Sequence, residues 1–272
     1  MTQFALNHMT APGLGFEALI SLASSLKCVG VEFRNDLGGA LFDGVAPGEV
    51  KRLAQSAHIR ILSLAELKAF NDWSDEKAQE ALSLMGIARD CGAEGVSLIP
   101  RADGGRLDKE DRISDLTRSL DALLPMLEAF DLVGMIEPLG FERSNLRLKE
   151  EAVEVMESLG SSHRFKLVHD TFHHALAGGG SVFASHTGLV HVSGVEDQRP
   201  QFEQMTDDHR VLVGSKDRLG NVAQIEDLMA QGYSGPISME AFSPEVHALD
   251  DPWSALNESF VHLTEALAAK AA

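Results

Sequence analysis

Four side chains that could bind a metal ion stand at the ends of four consecutive apolar segments in the second half of the chain. They are Glu137, Asp170, His191 and Glu240. Three carboxylates brought together would repel one another and shift each other's pKa unless a cation neutralised them. Three carboxylates and one imidazole suit Mn²⁺, Mg²⁺, Co²⁺ or Zn²⁺ and leave positions open for substrate or water. The four residues therefore predict a site for one divalent cation.

Each of these residues taken alone has a simpler interpretation. A carboxylate that ends a strand commonly caps the following helix or is an exposed charge. A single histidine on a strand is commonly a hydrogen-bonded packing residue. The metal hypothesis therefore depends on elements that bring all four side chains to one place.

Eight short β-type segments, which recur through the whole chain, could supply those elements. They cover residues 4–7, 29–33, 59–64, 95–99, 133–137, 165–170, 189–192 and 236–240. Successive segments begin about 33 residues apart, a normal length for a parallel βα unit. Helical periodicity between them predicts helices over residues 17–26, 76–91, 108–130, 149–159, 222–230 and 253–269. Between residues 172 and 186 a helix is doubtful, because three glycines at 178–180 interrupt the pattern.

This alternation predicts an α/β fold, a single (β/α)₈ TIM barrel that spans residues 1–272 as one domain. An open doubly wound sheet is the alternative, but the first βα turn lacks the G-x-G-x-x-G pattern of that fold when it binds a dinucleotide. In a barrel, the carboxyl ends of all strands share one rim, where active sites are built. The four candidate ligands would meet at that rim.

Composition argues against several classes of partner. The 272 residues include 41 acidic and 23 basic side chains, a formal net charge of −18. This charge opposes binding to nucleic acid or to an anionic membrane surface. No apolar stretch approaches the roughly 18–20 residues of a spanning helix, and the first residues do not resemble a signal peptide. Two cysteines, Cys28 and Cys91, are too few for a disulfide framework and favour a cytoplasmic protein in which both lie in the core.

Further polar side chains are expected at the same rim. Arg34 follows the second strand, Glu66 and Lys68 follow the third, and His173 follows the sixth. Arg34, Lys68 and His173 are therefore candidate substrate-binding residues. Salt bridges within the protein would explain the first two equally well, and a place on a helix surface would explain the third.

The residues around the candidate ligands resemble a known family, the xylose isomerase-like TIM barrels. The resemblance is carried by Ile136-Glu137-Pro-Leu-Gly140, Leu167-Val-His-Asp170-Thr-Phe-His173, Val190-His191-Val-Ser-Gly-Val-Glu-Asp197 and Ser238-Met-Glu240-Ala-Phe242. The segment Asp207-Asp-His-Arg210-Val is similar to a further motif of the family. One departure follows: where the family usually has x-Pro-Gly-x-Gly after Arg-Val, this chain continues Leu-Val-Gly-Ser-Lys-Asp217. A differently shaped loop over the substrate is expected there.

The resemblance implies a Glu-Asp-His-Glu metal site at the same four positions selected above. It also implies that His173 and Arg210 contact the substrate or the surroundings of the metal. Within the family the chain is most similar to the isomerases of 2-keto-myo-inositol (inosose). The implied activity is isomerisation of a keto-polyol or keto-sugar by proton transfer through a metal-bound enediolate, with Glu137 and Glu240 as the catalytic bases.

The same metal and the same intermediate would also serve other reactions. A ketose 3-epimerase, a hydroxypyruvate-type isomerase and an inosose dehydratase stay open as alternatives within the family. In other classes, a non-catalytic sugar- or metal-binding barrel stays open, and an apurinic-site endonuclease is disfavoured by the charge of −18. A redox-neutral isomerisation needs no organic cofactor, so the expected partners are one divalent ion and a small keto-polyol or sugar. A homo-oligomer is compatible with the sequence, which does not fix the oligomeric state.

Overall fold

Eight parallel strands close into a barrel in the computed structural model, which describes residues 2–271. Each strand pairs with the next along the chain, and the last pairs with the first, so the sheet has no free edge. This confirms the predicted (β/α)₈ fold. The strands are β1 Phe4–Asn7, β2 Gly30–Arg34, β3 Arg60–Lys68, β4 Gly95–Ile99, β5 Val133–Ile136, β6 Phe165–Asp170, β7 Thr187–Val192 and β8 Ile237–Met239.

Helices connect the strands and cover the outside of the barrel. The α-helices are α1 Phe16–Ser25, α2 Pro47–Ser56, α3 Asp75–Cys91, α4 Lys109–Phe130, α5 Lys149–Ser158, α6 Thr171–Leu176, α7 Asn221–Ala230, α8 Pro244–His247 and α9 Pro252–Ala271. Their apolar faces pack on outward-facing strand residues such as Val31 and Val190 in the main core. None of these helices, within residues 2–271, has the length and apolar character needed to span a bilayer. That residues 1–272 form one domain stays a prediction, and residues 1 and 272 lie outside the described part.

A second, smaller core fills the inside of the barrel. It consists of Ala5, Leu62, Met135, Val168 and Leu189, all buried. Because successive side chains of a strand point to opposite faces, the residue two positions further along lies on the same face. This layer therefore supports whatever side chains follow it toward the carboxyl ends of the strands.

The structure differs from the predicted elements in several places. Helix α2, which begins at Pro47, was not predicted. It buries only Val50 and Ala54, four residues apart, and so short an apolar stripe does not stand out in the sequence. Strand β3 does not end at residue 64 but continues to Lys68, so Glu66 and Lys68 lie within the strand rather than after it. The polar side chains of this extension hid it from the hydrophobic pattern.

The doubtful segment between β6 and β7 contains the short helix α6. The helix ends before Gly178, Gly179 and Gly180, whose φ values are 94°, 79° and 112°. Three successive residues in this region, which only glycine adopts without strain, are incompatible with a right-handed helix. Both cysteines are buried, as expected.

Candidate metal and substrate site

The strand pattern places three of the four candidate ligands one layer above the inner core. Glu137, Asp170 and His191 each stand two residues after a member of that core, namely Met135, Val168 and Leu189. Asp170 and His191 are also direct register partners on β6 and β7. Glu137 and Glu240 lie just beyond the ends of β5 and β8 rather than inside the strands as predicted. The four side chains thus reach the same level of the barrel.

The structure brings the four residues into one buried cluster. One ligand atom from each of Glu137, Asp170, His191 and Glu240 lies within 4.8 Å of the others. His191 Nδ1 is 3.1 Å from Glu240 Oε2 and 3.8 Å from Glu137 Oε2. In the part of the chain that the structure describes, this is the single group of three or more acidic, His or Cys residues close enough to hold a metal ion.

Two buried arginines hold the carboxylates of the cluster in place. Arg210 Nη2 donates to Asp170 Oδ2 at 2.6 Å and to Glu240 Oε2 at 2.9 Å. Arg34 Nη1 donates to the other oxygen of Glu240 at 2.9 Å. Asp170 also accepts the backbone N–H of His173 at 2.8 Å and so caps helix α6. Asp170 therefore has both roles: it caps a helix, as the simpler interpretation of a strand-end carboxylate suggested, and it is a member of the cluster.

The surroundings push the pKa values of the two glutamates apart. Complete burial, and after it the negative charge of Glu240, raise the pKa of the Glu137 carboxyl. Burial alone would also raise the pKa of Glu240, but the positive charges of His191 and the two arginines outweigh it and lower that pKa below its usual range. Two carboxyls with opposite shifts are the pattern expected of an acid and base pair.

The donor set of the cluster fits a divalent cation. His191 Nδ1 is buried and makes no hydrogen bond, although three carboxylates surround it. A buried polar atom without a partner is costly, and a metal ion is one group that would satisfy it. Carboxylate oxygens and an imidazole nitrogen are ligands that Zn²⁺, Mn²⁺, Co²⁺ and Mg²⁺ accept. The cluster could therefore hold a metal at Glu137, Asp170, His191 and Glu240.

A cavity of about 500 Å³ opens above the cluster. Glu137 and Glu240 reach its floor, and its walls include both polar groups and the apolar side chains Leu139, Phe141 and Phe242. Phe242 packs against the two arginines, with the Arg210 guanidinium carbon 4.4 Å from the ring centroid. This volume falls in the range of small-molecule sites.

The predicted substrate-binding residues all line this cavity, but they differ in burial and in their contacts. His173 is buried against Phe141, with Nε2 3.9 Å from Glu137 Oε1. Arg34 is bound on three sides, since beside Glu240 it also donates to Asp36 and Glu66. The other two predicted residues, Lys68 and Arg210, complete the lining on this side. Lys68 is exposed at the rim, whereas Arg210 is almost completely buried.

The loop that departs from the family pattern does not line this cavity. The cavity lining includes Asp207 and Arg210 but, among the described residues, none from 211 to 217. The chain turns away because Val211 pairs with Gly194 through two backbone hydrogen bonds and Val213 is buried in the main core. The expectation of a differently shaped loop over the substrate stays a prediction.

One buried residue at the site was missed by the sequence analysis. Glu32 on β2 is completely buried, and both of its oxygens lie 3.0–3.1 Å from His191 Nε2. Its signal was a carboxylate inside an otherwise apolar strand, between Val31 and Phe33. The candidate ligands were residues at the ends of predicted strands, and Glu32 stands two residues before the end of β2.

Comparisons with known proteins agree with this architecture. The family model for the xylose isomerase-like TIM barrel matches residues 20–265. The curated inosose isomerase of Halalkalibacterium halodurans is 25% identical over 210 residues, which cover 74% of this chain and 73% of that protein.

Two solved structures resemble the chain over almost its whole length. A xylose isomerase domain containing protein from Salmonella typhimurium has a TM-score of 0.88 at 31% identity and covers 98% of this chain and 97% of its own. The structure of the IolI protein with a bound zinc atom has a TM-score of 0.82 at 19% identity and covers 98% and 99%. These matches confirm the resemblance found in the sequence: the chain belongs to the xylose isomerase-like TIM barrel family.

Proposed function

We propose that the protein is a metal-dependent isomerase of a keto-polyol or keto-sugar, with 2-keto-myo-inositol as the first substrate to test. The observation that carries this proposal is the buried Glu-Asp-His-Glu cluster at the floor of a cavity of about 500 Å³. The similarity to an inosose isomerase supports the choice of substrate.

The four cluster residues would hold one divalent ion. The zinc atom in the IolI structure supports zinc as the first metal to test, while Mn²⁺, Mg²⁺ and Co²⁺ suit the same ligands. When bound, the ion supplies Lewis acidity to the oxygens of an α-hydroxy ketone, which eases removal of a carbon-bound proton. No organic cofactor is part of this proposal.

The two glutamates would move the proton. Glu240 accepts hydrogen bonds from Arg34 and Arg210 on separate oxygens, which keeps it ionised as a base must be. Glu137 faces His191 and His173 instead of arginine, so less fixed positive charge opposes its protonation. We therefore assign Glu240 to removing the proton from the hydroxyl-bearing carbon and Glu137 to delivering one to the former carbonyl carbon. The ketone moves by one position through an enediolate once the proton of the neighbouring hydroxyl has also passed to the former carbonyl oxygen.

The cavity walls would orient the polyol over these carboxyls. Arg210 and Arg34 are fixed by ion pairs, so they offer little freedom but a constant positive field beside the developing enediolate. His173 lies on the wall next to Glu137, where its ring can contact a substrate hydroxyl. Lys68 at the rim is the exposed polar contact.

A panel of keto-polyols and keto-sugars tested with zinc- or manganese-loaded protein would examine this proposal. We expect conversion of 2-keto-myo-inositol that is lost with a chelator and restored by the metal. Glu240→Gln should lower turnover by about 10²–10⁴, the usual contribution of a positioned base. Metal content must be measured in the same sample, because loss of the ion would imitate loss of the base. Epimerised product would favour the 3-epimerase alternative, and product lacking water would favour the dehydratase. Binding without turnover across the panel would contradict the enzyme proposal.

A further inference from the structure

Glu32 is the one buried carboxylate of the site that no step above uses. It lies on β2, and its side chain contacts His191 on β7 across the inside of the barrel. Its oxygens are 3.1 and 3.0 Å from His191 Nε2, and both side chains are at most 2% exposed. Glu32 lies outside the cluster of four candidate ligands.

This contact determines which ring nitrogen of His191 carries a proton. A carboxylate can only accept hydrogen bonds, so the N–H must be on Nε2. A neutral imidazole with its proton on Nε2 has its lone pair on Nδ1. That nitrogen is the buried atom without a hydrogen bond, and it faces Glu240 and Glu137. When the ring is neutral, as it must be to bind a metal, its remaining proton therefore stays on Nε2 and the lone pair of Nδ1 points into the cluster.

We propose that Glu32 is a positioning residue for the metal: it fixes the tautomer and orientation of His191 and strengthens Nδ1 as a ligand. The inference rests on the proposed metal site. The physical reason is that a carboxylate that accepts the N–H of an imidazole increases electron density on the opposite nitrogen and prevents the ring from rotating. Full burial strengthens the effect, because water does not compete for either partner.

Glu66 provides a matched control. It is another glutamate near the cluster and lines the cavity, but its side chain meets Arg34 at 3.4 Å and is not part of the cluster of candidate ligands. Glu32→Gln and Glu66→Gln make the same chemical change, the first at a completely buried residue and the second at a partly buried one. Only the first change alters the group that accepts the proton of His191 Nε2.

The test is the affinity for Zn²⁺ alone, measured by competition with a chromophoric chelator in the purified full chain. We expect Glu32→Gln to weaken binding by about 10–100-fold, the usual effect of removing such a partner. Glu66→Gln should stay within about threefold of wild type. Equal affinity of the Glu32→Gln and wild-type proteins would overturn the inference while leaving the metal site intact. A wild type that binds no Zn²⁺ would instead contradict the proposed metal site, and this inference with it.

A second measurement needs no variant and so does not depend on Glu32→Gln folding. In protein labelled with ¹⁵N-histidine and loaded with Zn²⁺, NMR distinguishes a protonated nitrogen from a metal-bound one. We expect the proton of His191 on Nε2 and the metal on Nδ1. The reverse arrangement, or a ring that exchanges between both tautomers, would overturn the inference.

Discussion

Lys149 is a buried lysine whose replacement should change the pH dependence of stability. It is the first residue of α5 and is 6% exposed. Its Nζ lies 2.7 Å from His169 Nδ1 and 2.9 Å from His174 Nδ1. His169 Nε2 meets Gln224 Oε1 at 2.9 Å, so its Nδ1 is left to accept from the lysine. The amine therefore links α5 to β6 and α6, next to Asp170.

Burial lowers the pKa of Lys149 from 10.5 to about 7. One pKa unit corresponds to about 1.4 kcal/mol, so carrying the charge in the folded state costs about 5 kcal/mol below pH 7. The unfolded chain binds this proton up to about pH 10, whereas the folded protein releases it near pH 7. Stability should therefore rise with pH between about 7 and 10, by up to about 1.4 kcal/mol per unit from this group.

Lys149→Met removes the charge but leaves two imidazole nitrogens without a donor, at about 1–3 kcal/mol each. At pH 7 the stability gained by removing the buried charge nearly cancels the stability lost with the two hydrogen bonds. At pH 10 the lysine is neutral in the folded protein, so only the loss of the hydrogen bonds remains. We therefore expect wild type to gain about 4 kcal/mol over the variant between pH 7 and 10. The measurement is urea unfolding with a chelator present, with Lys51→Met on the exposed face of α2 as a control that shows no such gain. A constant difference between wild type and Lys149→Met across this range would refute the reasoning.

Three further outcomes follow from the cluster. Arg210→Met should lower the free energy of unfolding of the metal-free protein by about 3–5 kcal/mol, because it leaves Asp170 and Glu240 without the cation they share. The loss should be smaller with Zn²⁺ bound, and melting curves that show equal losses in both forms would contradict this. Although burial lowers the pKa of His191, the charges of Glu240 and then Glu32 outweigh it and raise this pKa well above 6.5. Zn²⁺ binding at pH 7 should therefore release about one proton or more, seen as a buffer-dependent enthalpy in calorimetry, and binding without release would be unexpected. His173→Ala should raise KM for the polyol with zinc content unchanged, and unaltered kinetics would show that this histidine only packs.

The level of the four cluster residues in the barrel could be predicted because local rules determine it. Each strand alternates between faces, and in a parallel barrel all carboxyl ends lie on one side. Polar residues that close apolar strands therefore meet at one rim, as Glu137 and His191 do. Their roles as metal ligands stay a proposal.

Contacts across the barrel could not be predicted in the same way. Glu32 and His191 are 159 residues apart and lie on strands that are not neighbours. No periodic pattern in the sequence connects them. Arg210 was found only through the family resemblance, because it follows β7 in an irregular segment that no strand or helix pattern positions. The extent of β3 was missed for a related reason, since the polar side chain of Glu66 is satisfied by Arg34, a partner on another strand.

The central claim, proton transfer by the two glutamates on a keto-polyol, is tested most directly by NMR in D₂O. The zinc-loaded protein is incubated with 2-keto-myo-inositol, and the carbon next to the carbonyl is observed. Carboxylates that remove and return the proton exchange it with solvent. We therefore predict deuterium at the former carbonyl carbon of the product and at the hydroxyl-bearing carbon next to the carbonyl of the recovered substrate. Glu240→Gln with full zinc content should slow the exchange by about 10²–10⁴. Isomerised product free of deuterium would contradict the account, because the hydrogen that Glu137 delivers comes from solvent and not from the substrate.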